Sequence, residues 1–177
     1  MNKLEKITKV DLREAWPNEQ YDFTPWLAKQ ENIERLGLAL GIDLVVEAEE
    51  KEVGPFRADI LCKNEATEEW VLIENQLEKT DHKHLGQLLT YATGLEAVTI
   101  VWVAKDFSEE HRAALDWLNK ITEEKYTFFG IKIEILRIGE SMAPNFKVVS
   151  QPNDWSKSIS SAVSKITSED LSETKLM

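Results

Sequence analysis

Hydrophobic and polar positions along the chain follow two periods in turn, and each change of period marks an element. Thr24-Pro25 joins a capping hydroxyl to a proline at a first helical position. Ile33, Leu36 and Leu40 then recur at helical spacing up to Gly41, which predicts a helix from Thr24 to Gly41 with one buried face. Ile42 to Ala48 alternates as I-D-L-V-V-E-A, a strand pattern, and Gly54-Pro55 turns the chain into a second strand from Phe56 to Cys62. After a polar turn around Asn64 to Glu68, Val71, Leu72 and Ile73 form the short apolar run of a buried strand. That strand ends in Glu74 and Gln76, which side-chain alternation places on one face.

Thr80 or Asp81 is the expected cap of a helix that ends at Gly94, with Leu85, Leu88, Leu89 and Ala92 turned to the sheet. His84, Gln87 and Tyr91 form a polar stripe on it at i, i+3 and i+7. The β-branched run within Val98 to Ala104 suits a central strand covered on both faces. Ser108 caps the next helix, with Ala114, Leu115 and Leu118 inward and Glu109, Glu110 and Arg112 outward. On that helix His111 holds a polar position and reads as a surface histidine. Tyr126 to Ile138 alternates again, Ile131, Ile133 and Ile135 against Lys132 and Glu134, and 146–149 reads as an edge strand. Trp102 and Trp117, isolated in periodic segments, read as core. Strands alternating with helices predict a mixed α/β sheet.

With 177 residues, 42% hydrophobic, and six Trp and six Phe, the chain has material for one sizeable core. Residues 1–22 read as an N-terminal segment, in which Val10, Leu12 and Trp16 are placed to pack onto the domain; 23–152 read as the domain. Residues 153–177 read as a C-terminal helix or linker, with Ile159, Val163 and Ile166 at helical spacing, that leads to an additional domain or a self-association surface such as a homodimer. No apolar run approaches the length that spans a bilayer, and the first ten residues lack the apolar region of a signal peptide, so the expectation is a cytoplasmic protein without membrane contact. The single cysteine, Cys62, excludes an internal disulfide and reads as a packed thiol. The net charge of −11 opposes unaided binding to nucleic acid, since non-specific affinity comes from Lys and Arg neutralising phosphates.

The candidate chemistry lies between Pro55 and Tyr91. A strand that goes inside does not end in a carboxylate without a partner, and Asp59 sits in the preceding apolar segment at hairpin distance from Glu74. If the two segments pair, both carboxylates converge at one end of the sheet, where repulsion and desolvation are costly unless a cation lies between them. The economical reading is a divalent-metal site. Arg57 alternates onto the side of Asp59, where it either holds that carboxylate, touches a phosphate, or is a plain surface arginine. Lys79, His82 and Lys83 make the start of the following helix locally basic, which suits a phosphate.

These parts, in this order, resemble the PD-(D/E)XK nuclease superfamily over roughly Thr24 to Ile138: an Asp, a short hairpin, then Glu-x-Lys on the next strand. Asp59 matches the first acid and Glu74 the second, with Gln76 where the family usually has lysine. Gln87 and Tyr91 match the Q-x-x-x-Y element of the RecB-like branch. The resemblance implies a restriction-endonuclease-like fold, a mixed β-sheet flanked by helices. It also implies a metal-dependent DNA endonuclease or exonuclease of repair or defence, with Asp59, Glu74 and the Asn75 carbonyl on one or two Mg²⁺ (or Mn²⁺). Gln76 takes the catalytic position of the lysine, and Gln87 and Tyr91 face the substrate; Arg57, Lys83 and His84 read as substrate-facing from their own positions, with a plain surface arginine and the wet side of an amphipathic helix as the competing readings. A further acid is implied on the first helix, Glu31 or Glu34, with a solvated helix face as the competing reading. Because glutamine has neither charge nor basicity, the alternative is a nuclease fold that no longer cuts and binds nucleic acid or protein within a larger assembly. A purely structural domain, with both acids satisfied by Arg57 or by backbone amides, is the third reading.

Overall fold

The computed structural model describes residues 1–152, and the expected C-terminal helix with Ile159, Val163 and Ile166 lies outside the described residues. In chain order the elements are β1 (Ile7–Val10), α1 (Leu12–Ala15), a π turn (Glu19–Phe23), α2 (Thr24–Ala28), α3 (Gln30–Leu40), β2 (Leu44–Val53), β3 (Phe56–Asn64), β4 (Trp70–Lys79), α4 (His82–Leu95), β5 (Thr99–Asp106), α5 (Glu109–Ile121), β6 (Thr127–Ile138) and β7 (Ser141–Ser150). The strands form one mixed sheet in the order β1-β6-β5-β4-β3-β2, with β7 on the other edge of β6. Strands β4, β5 and β6 are parallel, and their crossovers are α4 and α5. The hairpin partners β2 and β3 run antiparallel. This is the expected α/β architecture, a mixed sheet flanked by helices.

Each face of the sheet has its own core. On one side Leu27, Ile33, Leu36 and Leu40 of α2 and α3 join Leu12, Trp16 and Phe23 against Ile60, Val71, Ile73, Val101 and Ile131. On the other side Leu88, Tyr91 and Ala92 of α4 and Leu115 of α5 cover Ala58, Leu72, Ile100 and Trp102. The period-2 alternation of β4 therefore sends Leu72, Glu74 and Gln76 towards α4 and α5, and Ile73, Asn75 and Leu77 towards α2.

Several expectations are corrected by this packing. The helix predicted from Thr24 to Gly41 is two helices, broken where Lys29 turns to extended backbone (ψ 137°); the side chain of Asn32 accounts for part of the break by donating to the Trp26 carbonyl at 2.8 Å. Gly41 caps α3 in the left-handed conformation (φ 73°), as expected. Helix α4 runs past Gly94 to Leu95 and is capped by a left-handed Glu96, and Leu89 is exposed rather than buried. Trp117 is 59% exposed and not part of either core, because it lies on the outer side of α5 from Leu115. Cys62 is fully buried, and burial pushes its thiol up to about 12. Among the described residues no helix is long and apolar enough to cross a membrane.

Candidate active site

The antiparallel ladder between β3 and β4 runs from Lys63↔Trp70 to Ile60↔Ile73 and stops there, whereas β3 stays paired to β2 as far as Val53↔Phe56. The sheet forks between β3 and β4. At the fork the two acids replace the missing backbone bonds: the Asp59 N–H donates to Glu74 Oε1 at 3.1 Å, and the Asn75 N–H donates to Asp59 Oδ2 at 2.9 Å. Continuing the register puts Asp59 opposite Glu74, on the side of the sheet that α4 covers. Glu74 is 2% exposed.

Two carboxyls held this way cannot both be ionised cheaply. Burial pushes Asp59 up to about 7; the Asn75 N–H opposes the rise, and the charges of Glu50 and Glu19 add to it. Burial, followed by the charge of Asp59, pushes Glu74 up to about 10. The two carboxyls are coupled, so ionising one disfavours ionising the other. The arrangement is anion-rich, with Glu74 buried and Asp59 half-buried, and the Arg57 guanidinium is turned to Glu52 at 3.7 Å, not to Asp59.

Gln76 is buried and fully engaged. Its carbonyl accepts from the Trp102 indole N–H at 2.8 Å, and its amide donates to the Lys79 carbonyl at 2.9 Å and, at 3.4 Å, to Asp81. The Tyr91 hydroxyl is hydrogen-bonded to the Arg57 backbone and lies in the field of Glu74 and Asp59, which together with burial raises it. Gln87 is half-buried and Lys83 exposed on α4. Asp81, not Thr80, caps α4, and its Oδ1 accepts from both the backbone N–H and ring Nδ1 of His84 at 2.8 and 2.7 Å. Asn75 faces the other core, its amide on Thr24 Oγ1 at 3.0 Å, and its Oδ1 is buried without a partner among the described residues.

His111 is a correction. It is 6% exposed and tied into a polar cluster: Nδ1 meets Thr80 Oγ1 at 2.8 Å and Ser108 Oγ at 2.7 Å, and Nε2 meets His82 Nδ1 at 3.0 Å. Trp102 packs on its ring with centroids 5.4 Å apart. A helical position flanked by charged residues looked polar in sequence, yet the turn carrying Thr80 passes over it.

The fold brings two further acids towards the pair that the sequence did not single out. Glu31 is exposed in the first turn of α3. The acid that reaches the pair from the N-terminal region is Glu19, on the π turn, whose carboxylate accepts from the Leu77 N–H at 2.5 Å and which burial raises. Asn18, whose side chain accepts from the Tyr21 N–H, fixes this turn; an asparagine three residues before an aromatic is its only local sign. Glu50 lies between the Glu49↔Ile60 and Lys51↔Ala58 pairs, opposite Asp59, with φ 49°. A non-glycine residue in that conformation is strained. Its charge acts on both Asp59 and Glu74, and burial raises its own carboxyl. In sequence Glu50 was hidden among Glu47, Glu49 and Glu52.

The donor set fits a small hard cation. Mg²⁺ is commonly held by one or two carboxylates, with water and phosphate oxygens completing its octahedron, rather than by an all-protein cage. Among the described residues no cluster of three or more Asp, Glu, His or Cys with metal-binding spacing exists. Two facing carboxylates at a strand fork are the part of such a site that a protein supplies.

No protein-family profile and no curated protein matches the chain. Among solved structures, it is similar to a repair endonuclease from Pyrococcus abyssi, at 16% identity and a TM-score of 0.45, over 54% of this chain and 41% of that one. It is also similar to EndoMS in the EndoMS–dsDNA complex, at 15% identity and a TM-score of 0.46, over 75% of this chain and 49% of that one. The chain thus spans less than half the length of either.

Proposed function

We propose that the chain is a metal-dependent nuclease domain that hydrolyses phosphodiester bonds in DNA at the fork between β3 and β4. The observation that carries this reading is the reciprocal bonding of Asp59 and Glu74, which holds two carboxyls face to face with no cationic side chain bonded to either among the described residues. Backbone amides satisfy both acids, as a purely structural role requires, yet a buried pair of acids costs stability that an apolar pair would not, which favours a functional reason for keeping them.

In this reading Asp59, Glu74 and the Asn75 carbonyl hold Mg²⁺ or Mn²⁺. The bound ion would activate a water and stabilise charge on the leaving oxygen. The chain's own residues do the rest. Asp59 and Glu74 would bind the ion as carboxylates, and their bonds to the Asn75 and Asp59 amides fix their angle. Tyr91 ties α4 to the β3 backbone beside the pair, and Lys83 offers an exposed ammonium to a phosphate. With a net charge of −11, binding to DNA rests on such local cations and on the ion.

The engagement of Gln76 favours the second reading, a nuclease-like module that binds without cutting, because the residue at the lysine position is committed to Trp102, Lys79 and Asp81. One experiment separates the two. Purified protein and Glu74→Ala are incubated with linear, circular, single-stranded and branched DNA in Mg²⁺, Mn²⁺ or EDTA, with metal binding followed by calorimetry. Cleavage that needs metal and is lost in the variant supports the nuclease. Metal binding without cleavage supports the module, and the absence of both overturns the metal site.

A further inference from the structure

We propose that His84, oriented by Asp81, is the proton acceptor for hydrolysis at the Asp59/Glu74 site, performing the task that Gln76 cannot; the assignment rests on the nuclease reading. Attack by water near neutral pH needs a basic atom to receive its proton. Gln76 has none: its carbonyl is taken by Trp102 and its amide hydrogens by Lys79 and Asp81. Arg57 and Lys83 are cations with no lone pair to offer while protonated.

The geometry of His84 is that of an oriented base. An ionised carboxylate only accepts, so the 2.7 Å contact of Asp81 Oδ1 with Nδ1 places the ring proton on Nδ1 and leaves the lone pair on Nε2. Against the cost of partial burial, the hydrogen bonds from His84 hold the Asp81 carboxyl below its ordinary range, which keeps it ionised. Capping of α4 needs only the His84 backbone N–H, which the same oxygen already receives at 2.8 Å. The ring contact is additional to the cap. Among the described residues no protein group is bonded to Nε2 of His84, whereas His111 uses both of its ring nitrogens.

Gln76, on the same face of β4 as Glu74, donates to Asp81 at 3.4 Å, and Asp81 in turn holds the His84 ring, which sets the histidine at the Gln76 end of the site. His84, Gln87 and Tyr91 share one face of α4, and the Tyr91 end of that stripe lies in the field of Glu74 and Asp59. Glu19 lies within electrostatic reach of both His84 and Asp59. The charged groups facing His84 are therefore Asp81 from the β4–α4 turn and Glu19 from the π turn, with Arg13 and Glu78 beside Glu19. In the step assigned here the water oxygen bonds to phosphorus while its proton passes to Nε2. The bond from phosphorus to the leaving oxygen breaks, its electron pair stays on that oxygen, and a solvent proton completes the hydroxyl. His84 then returns its proton to bulk water.

Two measurements test this. The first is the ¹⁵N shifts of the imidazole rings in the metal-free protein, where an Nδ1–H tautomer at His84 is expected in wild type and a mixture in Asp81→Asn; an Nε2–H tautomer in wild type overturns the proposal. The second is the rate of DNA cleavage at saturating metal from about pH 5.5 to about pH 9, where His84→Gln is expected to fall by about 10²- to 10⁴-fold. Asp81→Asn, which changes a positioning residue, should fall by less than His84→Gln, because the ring keeps its lone pair and loses only its fixed orientation. If wild type cleaves in a Glu74-dependent way and His84→Gln keeps its rate and profile, the base assignment fails and the nuclease reading stands; if wild type binds metal and cleaves nothing, both fail.

Discussion

The Trp102 indole N–H donates to Gln76 Oε1 at 2.8 Å, between neighbouring parallel strands, with both side chains almost fully buried. Glu74 pairs with Trp102 and Gln76 with Ala104 in the β4–β5 register, so the indole reaches diagonally across the ladder. A lysine at position 76 has no acceptor to offer that N–H. Glutamine here and tryptophan there are thus one structural choice.

The first prediction follows from this pair. Gln76→Lys should lower stability by about 1–3 kcal/mol, the cost of an unsatisfied buried donor, and should not by itself raise cleavage. Gln76→Lys combined with Trp102→Phe should recover part of the loss. Denaturant titration of the three variants measures the coupling, and additive losses would break the argument.

The second concerns pH in the metal-free protein. Asp59 and Glu74 have folded values raised above 3.8 and 4.5, to about 7 and about 10. Groups raised on folding contribute stability that is full below their unfolded values and is lost as pH rises through the folded ones. The melting temperature should therefore fall as pH rises from 4.5 to about 10, most steeply below about 7. Mg²⁺ should restore more of it at the alkaline end, and Glu74→Gln, which keeps an acceptor for the Asp59 N–H, should flatten the slope. Scanning calorimetry across pH, with and without metal, reads all three.

A third, opposite in sign, concerns His111. Burial, then the neighbouring His82, lowers it from 6.5. Its neutral form belongs to the folded state, so stability is lost as pH falls from 6.5 through the lower folded value. His111→Asn should weaken this acid sensitivity, and NMR titration of the His111 ring should show it taking a proton only as α4 and α5 loosen.

A fourth separates two tryptophans. Trp117→Gln, at an exposed position, should change stability by no more than about 0.5 kcal/mol. Trp102→Ala should cost about 3–5 kcal/mol, since it opens a cavity as well as freeing Gln76. Equal losses would place Trp117 in a packed interface.

Legible in the chain itself are strands β2 to β6 and part of β7, the caps at Gly41 and Ser108, the cap of α4 to within Thr80 or Asp81, and the two acids at hairpin distance. These rest on local periodicity and on side chains that bond their own backbone, which are properties of neighbours in the chain. Tertiary structure decided the rest. Burial of His111 depends on Thr80, 31 residues away, and the engagement of Gln76 on Trp102, 26 residues away. The approach of Glu19 to the Asp59/Glu74 pair depends on a bond to the Leu77 N–H, 58 residues away. Periodicity says which side of an element is wet or dry, but not which polar group crosses the gap to meet it; that is fixed by the fork between β3 and β4 and by the helices packed over it.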